Sequence, residues 1–134
     1  MRTSEANPSD WYHLAEDRLR AADASRSAAG VTFAGVELLH EAVERYLKGY
    51  LVSSGWVLRR THDLGELLAV AIGYNQQLTA FQSLADNLTD QFWAQHYPGG
   101  DLSAVGLDYD QVRQEVGTLV HLLAEPDPSR NSPS

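Results

Sequence analysis

Leu38 to Trp56 reads LLHEAVERYLKGYLVSSGW, and after four residues Thr61 to Leu68 reads THDLGELL. At 100° per residue, Val36, Leu39, Val43, Tyr46, Leu47 and Tyr50 share one helical face, which Leu38 and Ala42 widen to more than half the circumference. A helix this apolar, predicted over about residues 31–53, belongs at the centre of a bundle. Its remaining polar arc carries Glu37, Glu41, Glu44 and Lys48, with His40 at the edge. Glu44 and Lys48 form an (i, i+4) pair in the favourable order, and Gly55 closes the helix. Thr61 then reads as the N-cap of a short third helix over residues 62–72, with Leu64, Leu67, Leu68 and Ala71 facing inward.

Outward from this stretch the helical pattern continues. A first helix is expected over residues 8–28, with Pro8 in its first turn, a stripe of Trp11, Leu14, Ala15, Leu19 and Ala22, and Gly30 as its stop. A fourth spans residues 76–95 through Leu78, Phe81, Ala85, Leu88 and Phe92, and Pro98-Gly99-Gly100 ends it. A fifth spans residues 108–125, with Val112, Val116, Leu119, Val120 and Leu123 inside. No stretch alternates like a strand, so the expected fold is all-α: an antiparallel up-and-down bundle of four long helices plus one short helix. Residues 1–7 and 126–134 read as disordered tails around a bundle over 8–125.

Composition narrows the function. The 134 residues carry 18 acidic against 10 basic side chains, a net charge of −8, which argues against general nucleic-acid binding. There is no cysteine, which excludes disulfides, zinc thiolates, iron–sulfur clusters and cysteine nucleophiles and suits a reducing, cytoplasmic setting. No apolar run is long enough for a membrane span, and the opening residues do not read as a signal peptide. The five histidines, His13, His40, His62, His96 and His121, include no H-x-x-x-H pair, and Glu37–His40 is a lone Glu-x-x-His, so no metal site or other cofactor is expected. A bundle enzyme using several of these histidines around a metal is the weakest of the readings. The carboxylate pairs Glu16/Asp17, Glu37/Glu41 and Asp108/Asp110 read as solvated faces. Phosphate-binding glycine loops and the serine-nucleophile elbow are absent. Tyr46, Tyr50 and Phe81 fall on core faces. Trp56, Trp93 and Tyr97 lie near helix ends, where they suit a protein–protein contact.

The central helix and the segment after it resemble the HEPN domain (higher eukaryotes and prokaryotes nucleotide-binding). Glu44, Lys48, Gly55, His62, Asp63, Leu64, Leu67 and Leu68 match its pattern. WYHLAEDRLRAA at 11–22 resembles its first helix, and HYPGGD at 96–101 its "RYPd" segment. The resemblance spans about residues 8–124 and implies four long helices plus a short one, often as a homodimer. Bacterial members are commonly companions of a minimal nucleotidyltransferase in toxin–antitoxin-like pairs. Many other members are metal-independent ribonucleases carrying R-x(4–6)-H. Here no arginine precedes a histidine by that spacing; the nearest approach, Arg113 to His121, leaves seven residues between and splays the two by roughly 80° past two full turns. His96 stands where the "RYP" arginine would be.

The expectation is therefore a non-catalytic binding module for a nucleotidyltransferase partner, a nucleotide, or both. The alternative is a ribonuclease with an altered site built on His96, Arg113 and His121. Candidate ligand-binding residues are Glu44, Lys48, Arg59, Arg60, His62 and His96. Lys48 would offer a point charge to a phosphate beside His62 and the anion-favouring start of the third helix, with Arg59 and Arg60 adding the densest positive charge. The other reading makes Glu44–Lys48 a helix-surface ion pair and His62 a local loop contact.

Overall fold

The computed structural model describes residues 2–96 and 103–124, with the side chains of His96 and 103–107 left aside. It forms an antiparallel all-α bundle. Helix α1 spans Pro8–Ala29, α2 Phe33–Ser53, α3 Leu64–Ile72, α4 Gln82–His96 and α5 Ser103–Ala124, with a 3-10 segment at Gln76–Phe81. Among the described residues there is no strand, and no helix is long and apolar enough to cross a membrane.

Side chains cap the helix starts. Asn7 accepts a hydrogen bond from the Ser9 amide and sets Pro8 in the first turn of α1, and Thr32 accepts from the Gly35 amide at the start of α2. Both helices stop at glycines with positive φ nearby, 74° at Gly30 and 92° at Gly55, a region that disfavours other residues. The chain before α1 folds back on it: the Ser4 amide donates to Asp10, and the Trp11 indole donates to the Glu5 carbonyl.

Two boundaries differ from the sequence expectation for identifiable reasons. Helix α3 is capped by Asp63 rather than Thr61. Asp63 accepts from the Glu66 amide, while Thr61 Oγ1 accepts from the Asp63 amide and so shapes the turn before the helix. His62 is thereby left outside the helix. The expected fourth helix divides at Gln82. Leu78, Phe81 and Leu84 are spaced by three, which suits the three-residue period of a 3-10 helix, and the four-residue steps that favour an α-helix start only at Leu84. The fifth helix begins five residues earlier than expected. Tyr97, Pro98-Gly99-Gly100 and the tail after Ala124 lie outside the described residues.

Helix α2 packs against α1, α3, α4 and α5, the central position its wide apolar face requires. Leu39, Val43, Leu47 and Leu51 on α2 meet Leu64, Leu67, Leu68, Leu88, Val116 and Leu119 in one buried cluster. Against α1 the approach is closer. Ala15 and Ala22 are fully buried there, and a Cβ added to Gly49 would lie 2.7 Å from Tyr12 Cε1 and 2.9 Å from Trp11 Cβ. Only a residue without a side chain fits, so Gly49 fixes how tightly α1 and α2 pack.

Helices α1 and α5 are joined by side chains rather than backbone approach. Arg26 makes two 3.0 Å hydrogen bonds to Asp110, Arg113 makes bonds of 2.7 and 3.0 Å to Asp23, and the Tyr109 hydroxyl reaches the Ala22 carbonyl at 3.4 Å. Burial raises the Tyr109 phenol above its ordinary range, so it stays a donor at neutral pH. Tyr46 is raised for the same reason.

Candidate functional site

His40, Glu44 and Lys48 follow one another at intervals of four along α2, so they form a single row on the helix. All three are buried, although the sequence puts them on or beside a polar arc. The central helix packs against four others, which cover these three residues and leave Glu37 and Glu41 on the same arc half-buried. Trp11 from α1 lies over Lys48, with Nζ 5.7 Å from its ring centroid, while Phe92 from α4 stacks on His40 at 4.3 Å and 19°.

Glu44 organises the row. Its side chain is 6% exposed; Oε2 accepts from Lys48 Nζ at 3.0 Å, and Oε1 lies 3.0 Å from His62 Nδ1. The His40 Nδ1 stands 4.0 Å from the same carboxylate. A carboxylate can only accept, so Nδ1 of His62 carries the proton and donates, which orients the ring. The His62 side chain is 70% exposed, placing an oriented imidazole above a buried carboxylate. Replacing the glutamate would strand a buried ammonium, because desolvated charges survive only when paired.

Above this pair lies a cleft of about 180 Å³ between α2, α4 and the loop before α3, lined by Glu37, Glu41, Glu44, Arg45, His62 and Phe92. Arg45 leans back on its own helix, with a nitrogen 3.7 Å from Glu41 and another 3.2 Å from the Glu41 carbonyl. Three carboxylates thus face one guanidinium and one imidazole, and the cleft is acidic. No cluster among the described residues has the ligand set to hold a metal ion.

The six sequence candidates do not all meet. Glu44, Lys48 and His62 come together, and Glu44 and His62 line the cleft while Lys48 lies behind the carboxylate. Arg59 turns to Glu66 at 3.1 Å and Arg60 to Glu5 at 3.0 Å, so the two cations before α3 point to different partners. His96 ends α4, and its side chain lies outside what is described. Of the residues weighed for cleavage, Arg113 is held by Asp23, which raises its pKa through a side-chain hydrogen bond, and His121 is on the exposed face of the last turn of α5. The sequence reading did not assign Glu37, Glu41, Arg45 and Phe92 to a common wall. The row His40, Glu44, Lys48 gave no signal of its own in the sequence, because it runs beside Glu37, Glu41 and Arg45 on the same helix and looks like one solvated arc.

A family model for the HEPN domain matches residues 8–122. No curated protein and no solved structure matches the chain.

Proposed function

The chain belongs to the HEPN domain family, and from that premise we propose that it is a non-catalytic binding module, the companion of a minimal nucleotidyltransferase. The observation that carries this reading is the lack, in the whole sequence, of any arginine followed by a histidine at the R-x(4–6)-H spacing. The geometry supports it. Arg113, the arginine closest to that spacing, is engaged by both oxygens of Asp23 on another helix. Attack through a ribose 2′-hydroxyl requires a general base and a cation within reach of the same phosphate, and a guanidinium already bound bidentate elsewhere is poorly placed to serve.

Within this reading a protein partner is favoured over a free nucleotide. Lys48, Arg59 and Arg60, the cations that would have met a phosphate, each lie against a carboxylate. The cleft beside them is acidic, so a triphosphate entering it would meet like charge. Co-expression of the full chain with the nucleotidyltransferase encoded beside its gene tests the proposal. Co-elution of the two through affinity and size-exclusion steps at about physiological salt is expected. Separate elution, or the absence of such a neighbouring gene, overturns it.

A further inference from the structure

We propose that residues 2–7 act as a latch that, by holding the Trp11 indole in place, controls the access of solvent to Lys48. Lys48 is the only lysine of the chain and is 5% exposed. On one side its Nζ donates to Glu44, and on another the Trp11 ring lies across it at 5.7 Å. The two neighbours are not equally fixed. Glu44 is buried in the middle of α2, whereas Trp11 stands in the first turn of α1 and is half-buried. A Cβ added to Gly49 would lie 2.9 Å from Trp11 Cβ, so the root of the side chain is pinned and the ring moves only about its own torsions.

What holds that ring is the chain before the helix. The indole Nε1 donates to the Glu5 carbonyl at 2.9 Å. Three contacts place the carbonyl in turn: the Ser4 amide donates to Asp10 at 2.9 Å, the Asn7 amide to the Ser4 carbonyl at 3.1 Å, and Arg60 to the Glu5 side chain at 3.0 Å. An indole has a single donor, so the ring loses this anchor when Glu5 moves. Packing adds little to the latch. Residues 2–7 are all exposed, and the Glu5 and Arg60 side chains are 54% and 83% exposed. Between the segment and Val52, Trp56 and Leu58 lies a cavity of about 320 Å³ instead of interlocked side chains. Solvated ion pairs and thinly packed segments open at low cost, so the latch can be undone without disturbing the core.

The test is acetylation of the full chain by N-hydroxysulfosuccinimide acetate, with Lys48 followed by peptide mass spectrometry. Wild type is compared with Glu5→Ala/Asp10→Ala, which removes both side chains that hold the latch, and with Arg113→Ala, which loosens an exposed ion pair on the seam between α1 and α5. Lys48 of folded wild type should react at least tenfold more slowly than in the chain unfolded by urea. The double variant should react at least fivefold faster than wild type, and Arg113→Ala should stay within twofold of it. Hydrogen exchange of the Trp11 indole, read by NMR, should quicken in the double variant by a similar factor. Trp11→Phe, which keeps a ring but removes the donor, should expose Lys48 as the double variant does. Equal acceleration in Arg113→Ala would mean that Lys48 is reached by global unfolding and overturns the proposal. So does an indole that exchanges as in wild type, an indole that exchanges fast while Lys48 stays shielded, or a Trp11→Phe chain as shielded as wild type.

Discussion

The bundle uses oppositely charged side chains in two places, and the two differ in almost every physical respect. Around Glu44 a lysine and a carboxylate meet in the interior, with Lys48 and Glu44 side chains 7% and 6% exposed, and the exposed His62 reaches the same carboxylate from outside. Across the seam between α1 and α5, Arg26–Asp110 and Arg113–Asp23 meet in solvent, with side chains 30–72% exposed. Both sets make bonds near 3 Å, so geometry alone does not separate them. Desolvation does. An exposed pair contributes little because water serves either ion nearly as well, whereas a buried pair loses much when one member goes. The α1–α5 pairs accordingly read as alignment of two helices, and the Glu44 cluster as a fixed framework under a cleft.

The sharpest way to break the comparison is Glu44→Gln. It leaves the Lys48 ammonium without its counter-charge, and denaturant unfolding should register a loss of about 3–5 kcal/mol. The double variant Glu44→Gln with Lys48→Met should regain most of that loss, since the stranded charge is gone. If the single variant unfolds like wild type, the cluster is wetter than its burial indicates.

Next comes Gly49→Ala, on the tight side of α1. The added methyl meets Tyr12 and Trp11 under 3 Å, and overpacking of this kind should cost about 1–3 kcal/mol despite the better helix propensity of alanine. A stabilised variant would mean that α1 can move off α2 freely.

Arg113→Ala should be milder, at about 0.5–1 kcal/mol in the same measurement, and the loss should shrink in high salt.

The smallest effect belongs to Asp110. Its hydrogen bond from Arg26 holds the carboxyl below its ordinary value of 3.8. A depressed folded-state pKa adds stability above the unfolded value and loses it as the pH falls through the folded one. Wild type and Asp110→Asn should therefore differ slightly at neutral pH and converge below about pH 4 in thermal scans. Divergence on acidification would reverse the sign.

The sequence made the bundle legible because the information sits in long periodic stripes. Leu39, Val43, Leu47 and Leu51, or Val112, Val116 and Leu119, point to one side whatever their neighbours are. The start of α3 was less accessible, since both Thr61 and Asp63 can cap and the local sequence does not choose between them. Gly49 gave no warning, because a glycine amid Lys48 and Tyr50 shows its purpose only once Tyr12 lies against it. The cleft was harder still. Its wall joins α2, the loop before α3 and α4, and no spacing within one helix reports that Phe92 will cover His40. An arc of glutamates looks solvated in one dimension whether or not another helix crosses above it.

We propose that the bundle binds and does not cut. Incubating the purified full chain with a structured RNA in EDTA tests it most directly, with electrophoresis as the readout. The RNA should remain intact over hours at micromolar protein. Metal-independent cleavage that disappears in His96→Ala or Arg113→Ala would contradict the account.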